Sequence, residues 1–313
     1  PKISSMRLAI VGALFATAAF NAQALTIDVV EGGEDPIATL IPALGNAGIT
    51  IIGGSESFVG LVGDGIDPNT AQSATYTDLN LTANNPGLPD ITQGDGILLT
   101  SGVANVPQTN TDTSFDNGSV GTPFPSTGGD ADLNQILTDA GAPSTTTNDT
   151  NYIQFDFTID DPDNNNAISI DFVFGSDEFP DQGVTDVFAF IVDGTNYAFF
   201  NDGSLVSFVT GANADQFNDN NVGTGNYNLE YDGISNSLTA FGLLDESLTT
   251  HTVKIAIADT SDSIFDSGVF ISNLQATFSE GGGIDPTVPL PGTLALVGLG
   301  LAGLGFRARG KRA

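Results

Sequence analysis

The sequence predicts an all-β protein, an antiparallel β-sandwich of jelly-roll type with one or two short helices. An N-terminal signal helix and a C-terminal transmembrane helix flank it. Three observations predict this architecture. Apolar and polar residues alternate over many short runs, the two-residue period of a strand with one buried face. Gly, Asn, Asp and Thr punctuate those runs at turn spacing. Two unbroken apolar stretches, residues 8–20 and 288–306, stand near the two ends.

Taken in order, Met6 and Arg7 open a basic start, LAIVGALFATAAF supplies an apolar core, and Ala22-Gln23-Ala24 has the small-residue spacing of a cleavage site. Residues 1–24 are therefore expected to be a signal peptide removed by signal peptidase. Residues 25–280 are expected to form one domain. Asp35-Pro36 can cap a short helix whose face carries Ile37, Leu40, Ile41 and Leu44, with Pro42 expected to kink or truncate it. Strands are expected at 49–52, 58–62, 76–81 and 96–100. A long polar loop follows at 101–129. Residues 130–140, DADLNQILTDA, read as a second helix stopped by Gly141.

From Tyr152 onward strands are expected throughout, at 152–159, 168–174, 188–192, 197–200, 205–209, 238–244, 252–258 and 269–278, with a loop at 210–226. The clearest unit is ISIDFVFGSDEFPDQGVTDVFAFIV at 168–192. Ile168, Ile170, Phe172 and Phe174 share one face, and Phe188, Phe190 and Val192 resume the pattern. Between them lies an acidic loop.

Residues 281–287 open with three glycines as a linker. Residues 288–306 then carry no charge, close to the ~20 residues that cross a bilayer. Arg307, Arg309, Lys311 and Arg312 follow, an arrangement that holds the C-terminus in the cytoplasm.

The chain has 38 acidic and 7 basic residues, and between residues 8 and 306 the only cation is Lys254. Such a body repels nucleic acid and anionic lipid, so contact with a membrane is expected only through the C-terminal segment. It favours hard cations or adaptation to salty water. With no Cys, disulfides and thiolate metal sites are excluded.

The most concrete chemistry is calcium binding. Calcium takes six to eight oxygens, and like charges crowded into one loop are relieved by a divalent ion. Asp177, Glu178, Asp186 and Asp266 are the expected ligands, with Asp181, Asp259 and Asp262 nearby in sequence; a solvated acidic rim is the alternative. Asp161, Asp163 and Asn165 have the alternate-residue spacing of a calcium loop without its Gly and terminal Glu. Asp112, Ser114 and Asp116 are a weaker instance. Asp177 and Glu178 can also be read as the carboxylates of a glycan hydrolase. His251 is the only imidazole, and no nucleophile elbow accompanies it. A catalytic reading is therefore not favoured. Tyr76, Tyr197, Tyr227 and Tyr231 border polar loops and are candidates for a sugar-stacking platform, which would make the domain a carbohydrate-binding module.

Several segments together resemble the choice-of-anchor L domain. They are GILLTSG at 96–102, GDADL at 129–133, residues 152–157, FVFGSDEFP at 172–180 and DVFAF at 186–190. YDG at 231–233, LTA at 238–240 and HTVKIAIADTSDSIFDSGVFI at 251–271 complete them. The resemblance implies a secreted bacterial β-sandwich at the cell surface or in the extracellular matrix, with no established catalysis. The tail, residues 288–313, resembles a PEP-CTERM sorting signal. Val288, Pro289, Pro291 and Gly292 form the turn, with Leu290 where that family usually has Glu, and Arg307 and Arg309 belong to the basic end. This implies a Gram-negative cell, transient anchoring in the inner membrane, handling by an exosortase, and delivery to the surface or biofilm matrix. A structural or adhesive role follows, with a polysaccharide or a surface protein as partner.

Overall fold

Each alternating run has two faces; one enters the core between the sheets, and the other is covered along part of its length. The computed structural model describes residues 25–64, 70–111, 127–180, 186–209, 212–261 and 265–284. Along the chain run β1 (Thr26–Val29), helix α1 (Pro36–Leu44), β2 (Ile49–Ile51), β3 (Ser57–Val59), β4 (Ser73–Thr77), β5 (Leu79–Leu81), β6 (Ile91–Gln93) and β7 (Gly96–Thr100). Helix α2 (Ala131–Asp139), β8 (Thr147–Ile159), β9 (Ala167–Ser176), β10 (Val187–Val192), β11 (Thr195–Asn196) and β12 (Phe217–Asp219) follow. The last are β13 (Gly233–Ser235), β14 (Leu238–Leu243), β15 (His251–Thr260), β16 (Ser267–Thr277) and β17 (Gly283–Ile284).

The first sheet is ordered β1-β4-β7-β16-β9-β13-β12, with β14 also pairing with β9 and β17 with β14. The second is ordered β11-β10-β15-β8-β2, with β3 also pairing with β8. Every strand pair is antiparallel. The main core lies between the sheets. Ile168, Ile170, Phe172 and Phe174 of β9 meet Phe188, Phe190 and Val192 of β10, Ile153, Phe155 and Phe157 of β8, and Val253, Ile255 and Ile257 of β15. Phe172 and Phe188 touch across the layers with ring centroids 5.2 Å apart. Fully burying such side chains contributes roughly 1.5–3 kcal/mol each.

The outer faces are covered too. The β5–β6 ribbon and residues 227–231 pack on Val173 and Phe270 of the first sheet. Helix α2 lays Leu133 and Leu137 on Val187, Ala189, Ala256 and Ala258 of the second. For this reason β10 reads apolar at every position and is buried along its whole length.

Most of the expected elements form, with shifted boundaries. Asp35 caps α1, accepting from the backbone N–H groups of Ile37 and Ala38. Pro42 does not truncate it; the helix runs on to Leu44 and ends at Gly45, whose φ is 81°. Burial of Leu40, Ile41 and Leu44 in the core outweighs the one hydrogen bond that Pro42 lacks. The single strand expected at 76–81 breaks into β4 and β5 because Asp78 takes a left-handed φ of 48°. The strands expected at 197–200 and 205–209 are reduced to isolated bridges, Phe188 with Val206 and Phe199 with Leu205. β1, β6, β12 and β13 were not expected; each has four residues or fewer, too short for periodicity to register.

The signal peptide with Ala22 and Ala24, residues 112–126 of the long loop, and the tail with Val288, Pro289, Pro291, Gly292, Arg307 and Arg309 lie outside the described residues. Among the described residues no helix is long and apolar enough to cross a membrane.

Candidate functional site

Antiparallel register sets the site. In the second sheet Val187 pairs with Ala258, so the next positions outward bring Asp186 beside Asp259. In the first sheet Ser176 pairs with Ser267, which brings Asp177 beside Asp266. The backbone N–H of Asp177 donates to the carbonyl of Asp266 at 3.2 Å, sealing that second pair. Each sheet thus delivers one pair of carboxylates at the same end of the sandwich. The Glu178 carboxylate, next after Asp177, is the neighbouring charge that most raises the Asp186 carboxyl.

These groups are not on a solvated rim. Asp177 is 4% exposed, Glu178, Asp186 and Asp266 are 1%, and Asp259 is 0%. Both carboxylate oxygens of Asp186 and of Asp259, and Oδ2 of Asp177, are buried without a hydrogen-bond partner among the described residues. Asp177 Oδ1 accepts from the Asp232 backbone N–H at 3.2 Å. The Ser267 and Ser101 hydroxyls lie close enough to pull Asp186 and Asp259 back toward ordinary acidity, but neither completes a hydrogen bond to them. Burial holds the carboxyls of Asp177, Asp186 and Asp259 well above the usual range; the charges of Asp232 and Asp266 push Asp177 further, those of Glu178 and Asp266 push Asp186, and that of Asp186 pushes Asp259, while Asp259 pulls Asp186 back.

Among the described residues no Lys or Arg faces this cluster. Lys254, the one Lys or Arg among the described residues, lies on the outer face of β15, with Nζ 2.5 Å from Asp130 and 2.7 Å from Asp132. His251 stands at the other end of β15, eight residues and about 26 Å from Asp259. Its Nδ1 is 2.8 Å from Asp193.

Two features fix the surroundings. Below the acidic turn, Phe179 packs on Phe208 and Phe217 at 5.3 and 5.9 Å between ring centroids, which anchors the residue after Glu178. Beside it, the ring of Tyr231 lies against Gly175 and Gly268, a cross-strand pair with no side chain to displace it. Burial raises the Tyr231 hydroxyl well above its usual range, and Asp177, Asp266 and Asp186 add to the rise.

Of the residues singled out from sequence, Asp177, Glu178, Asp186, Asp259 and Asp266 come together here; Asp181 and Asp262 lie outside the described residues. Asp161, Asp163 and Asn165 sit at the opposite end, in the β8–β9 hairpin. There Asp161 accepts from Asn164, and Asn165 Nδ2 donates to the Asp161 carbonyl at 3.0 Å. Sequence reasoning missed Asp232 and Asp149. Asp149 has a φ of 46° at the bulge where β8 slips one residue against β15, and it adds to the charge felt by Asp259. Asp232 lies in the YDG segment at 231–233, which shows no ligand spacing, and no short motif announces Asp149. Of the four tyrosines expected to form a platform, only Tyr197 stays partly exposed, its hydroxyl donating to the Leu243 carbonyl at 3.3 Å. Tyr76, Tyr227 and Tyr231 are 2%, 0% and 0% exposed, because their rings complete the outer core of the first sheet.

The donor set is all oxygen, without nitrogen or sulfur, which suits a hard cation such as calcium. Among the described residues no three acidic or His side chains are already spaced to hold an ion, so binding would have to draw the carboxylates inward. A pH dependence follows. The folded-state pKa values of Asp177, Asp186 and Asp259 lie above the unfolded value of about 3.9. Their contribution to stability is therefore complete below that value and is lost as pH rises through the raised values. Metal-depleted protein should gain stability when pH falls from 7.5 to 5, read as a rising urea midpoint. Asp186→Asn should flatten the slope, which separates the buried cluster from general relief of surface charge. An unchanged slope in that variant would refute the buried-carboxylate origin.

The sequence model of the family described as Choice-of-anchor L domain matches residues 69–276, a span holding every carboxylate of the cluster. The model described as PEP-CTERM protein-sorting motif matches residues 287–311. No curated protein matches the chain.

Proposed function

We propose, from the premise that this chain belongs to the choice-of-anchor L domain family, that it is a calcium-stabilised β-sandwich with a structural or adhesive role at the cell surface or in the extracellular matrix. The sorting motif indicates a bacterial protein that is exported, processed by an exosortase and associated with the surface. The finer reading, a Gram-negative cell and delivery into a biofilm matrix, extends that.

One observation carries the calcium reading. Two sheets present four aspartates and Glu178 to one another at a shared end, all nearly inaccessible, and Lys254 is committed elsewhere. Several buried carboxylates without a counter-charge are costly. A divalent ion removes that cost and ties the two sheets together. The same burial supports a non-catalytic role, since a glycan has no path to carboxylates that are 0–4% exposed.

Calorimetric titration of the metal-depleted protein with calcium tests this. Saturable binding with proton release is expected, because the carboxyls with raised pKa must ionise. Magnesium should bind more weakly, since it demands a tighter octahedral shell. No saturable heat up to 10 mM calcium would discard the cation site and leave only the surface role.

A further inference from the structure

Helix α2 covers only part of the outer face of the second sheet. Beside it lies a groove of about 580 Å³, within the range of ligand pockets. Its floor is Ile191 of β10, Gln154 of β8 and the Thr252–Lys254 end of β15. Its walls are α2, through Gln135 and Ile136, and the segment carrying Phe199 and Leu205. We propose that this groove binds a neutral oligosaccharide of roughly two or three sugar rings. The site lies apart from the acidic cluster and goes beyond the cation reading.

Charge excludes the acidic alternatives. Lys254, the one basic group of the lining, is held by Asp130 at 2.5 Å and Asp132 at 2.7 Å and lies 4.5 Å from the centroid of the Tyr152 ring. The groove wall also carries Asp132 and Asp139. An anionic chain would meet neutralised or negative groups throughout.

The remaining polar groups suit hydroxyls. The Gln154 side chain faces the groove and makes no hydrogen bond among the described residues, so its amide can donate and accept together. Gln135 gives Nε2 to Asp139 at 2.8 Å and keeps its carbonyl oxygen for a ligand donor. A sugar hydroxyl needs both roles at once. Ile136, Ile191 and the partly buried Phe199 line the same groove and match the C–H faces of a sugar ring.

Topology disfavours an extended peptide. The floor is a sheet face, and β10 is paired on both edges, with β11 and with β15. Strand addition needs an exposed sheet edge, and the floor presents a sheet face instead.

The test is an array of neutral and acidic glycans probed with the full-length protein, followed by calorimetric titration of the strongest neutral ligand. Neutral glycans alone are expected to bind. Gln154→Ala and Phe199→Ala should each weaken binding at least tenfold without moving the melting temperature, and binding should persist in EDTA. Retention of acidic glycans only, or no neutral binding at 5 mM, overturns the proposal. Binding that survives Gln154→Ala also overturns it, by placing the sugar elsewhere.

Discussion

Asp186→Asn is expected to raise the melting temperature of the metal-depleted protein and to abolish the gain that calcium gives the native chain. The two effects have opposite signs and one cause. Asp186 sits beside Asp259, within the field of Glu178 and Asp266, with both oxygens buried and unpartnered. Without an ion, its charge is a liability that an amide removes. With an ion, its carboxylate is a ligand that an amide replaces poorly. Calcium at 100 times its dissociation constant should add about 2.7 kcal/mol. For a body of this size, ~2–4 °C per kcal/mol makes that roughly 5–11 °C. Thermal unfolding of both proteins in EDTA and in millimolar calcium, at fixed ionic strength, gives four melting temperatures. Crossing lines support the cation site. Parallel lines, or a native protein indifferent to calcium, would mean that the cluster is kept neutral by protons instead.

Gly175→Ala should be a strongly damaging single-methyl change near the site. A Cβ on Gly175 would stand 2.5 Å from Cδ2 of the Tyr231 ring, and one on Gly268 would stand 2.1 Å from the Tyr231 oxygen. The ring is completely buried and has nowhere to swing. Overpacking of this kind costs about 1–3 kcal/mol, and a clash with a confined ring falls at the upper end. Tyr231→Ala alone should cost about 3–5 kcal/mol through the cavity it leaves. The double variant should cost less than the sum by about 1–2 kcal/mol, since the new methyl then enters space that the ring has left. A urea-denaturation cycle measures this coupling. Strict additivity would show that Tyr231 does not depend on the glycine pair. Because the Tyr231 hydroxyl feels Asp177, Asp266 and Asp186, Gly175→Ala should also weaken calcium binding in the titration.

The acidic cluster was legible in part. Asp177, Glu178 and Asp186 stood out because they flank two strongly alternating strands, and Asp266 because it precedes a third. What could not be read was that Asp259 pairs with Asp186 and Asp177 with Asp266, since register between distant strands leaves no mark on either segment. Their burial was equally hidden. An acidic loop reads as solvated until two sheets close over it.

Composition and periodicity by themselves determined the all-β class, the strands flanking the acidic loop and the cap at Asp35, and the sorting motif was legible through its family resemblance. These are local properties, set by residues within a few positions of one another. Only the tertiary structure decided which strands are neighbours, that Tyr76, Tyr227 and Tyr231 face inward, and that Lys254 answers Asp130 and Asp132 instead of the cluster. Such facts depend on contacts between segments far apart in the chain. Each is chosen by the burial of whole faces, which no short stretch of sequence records.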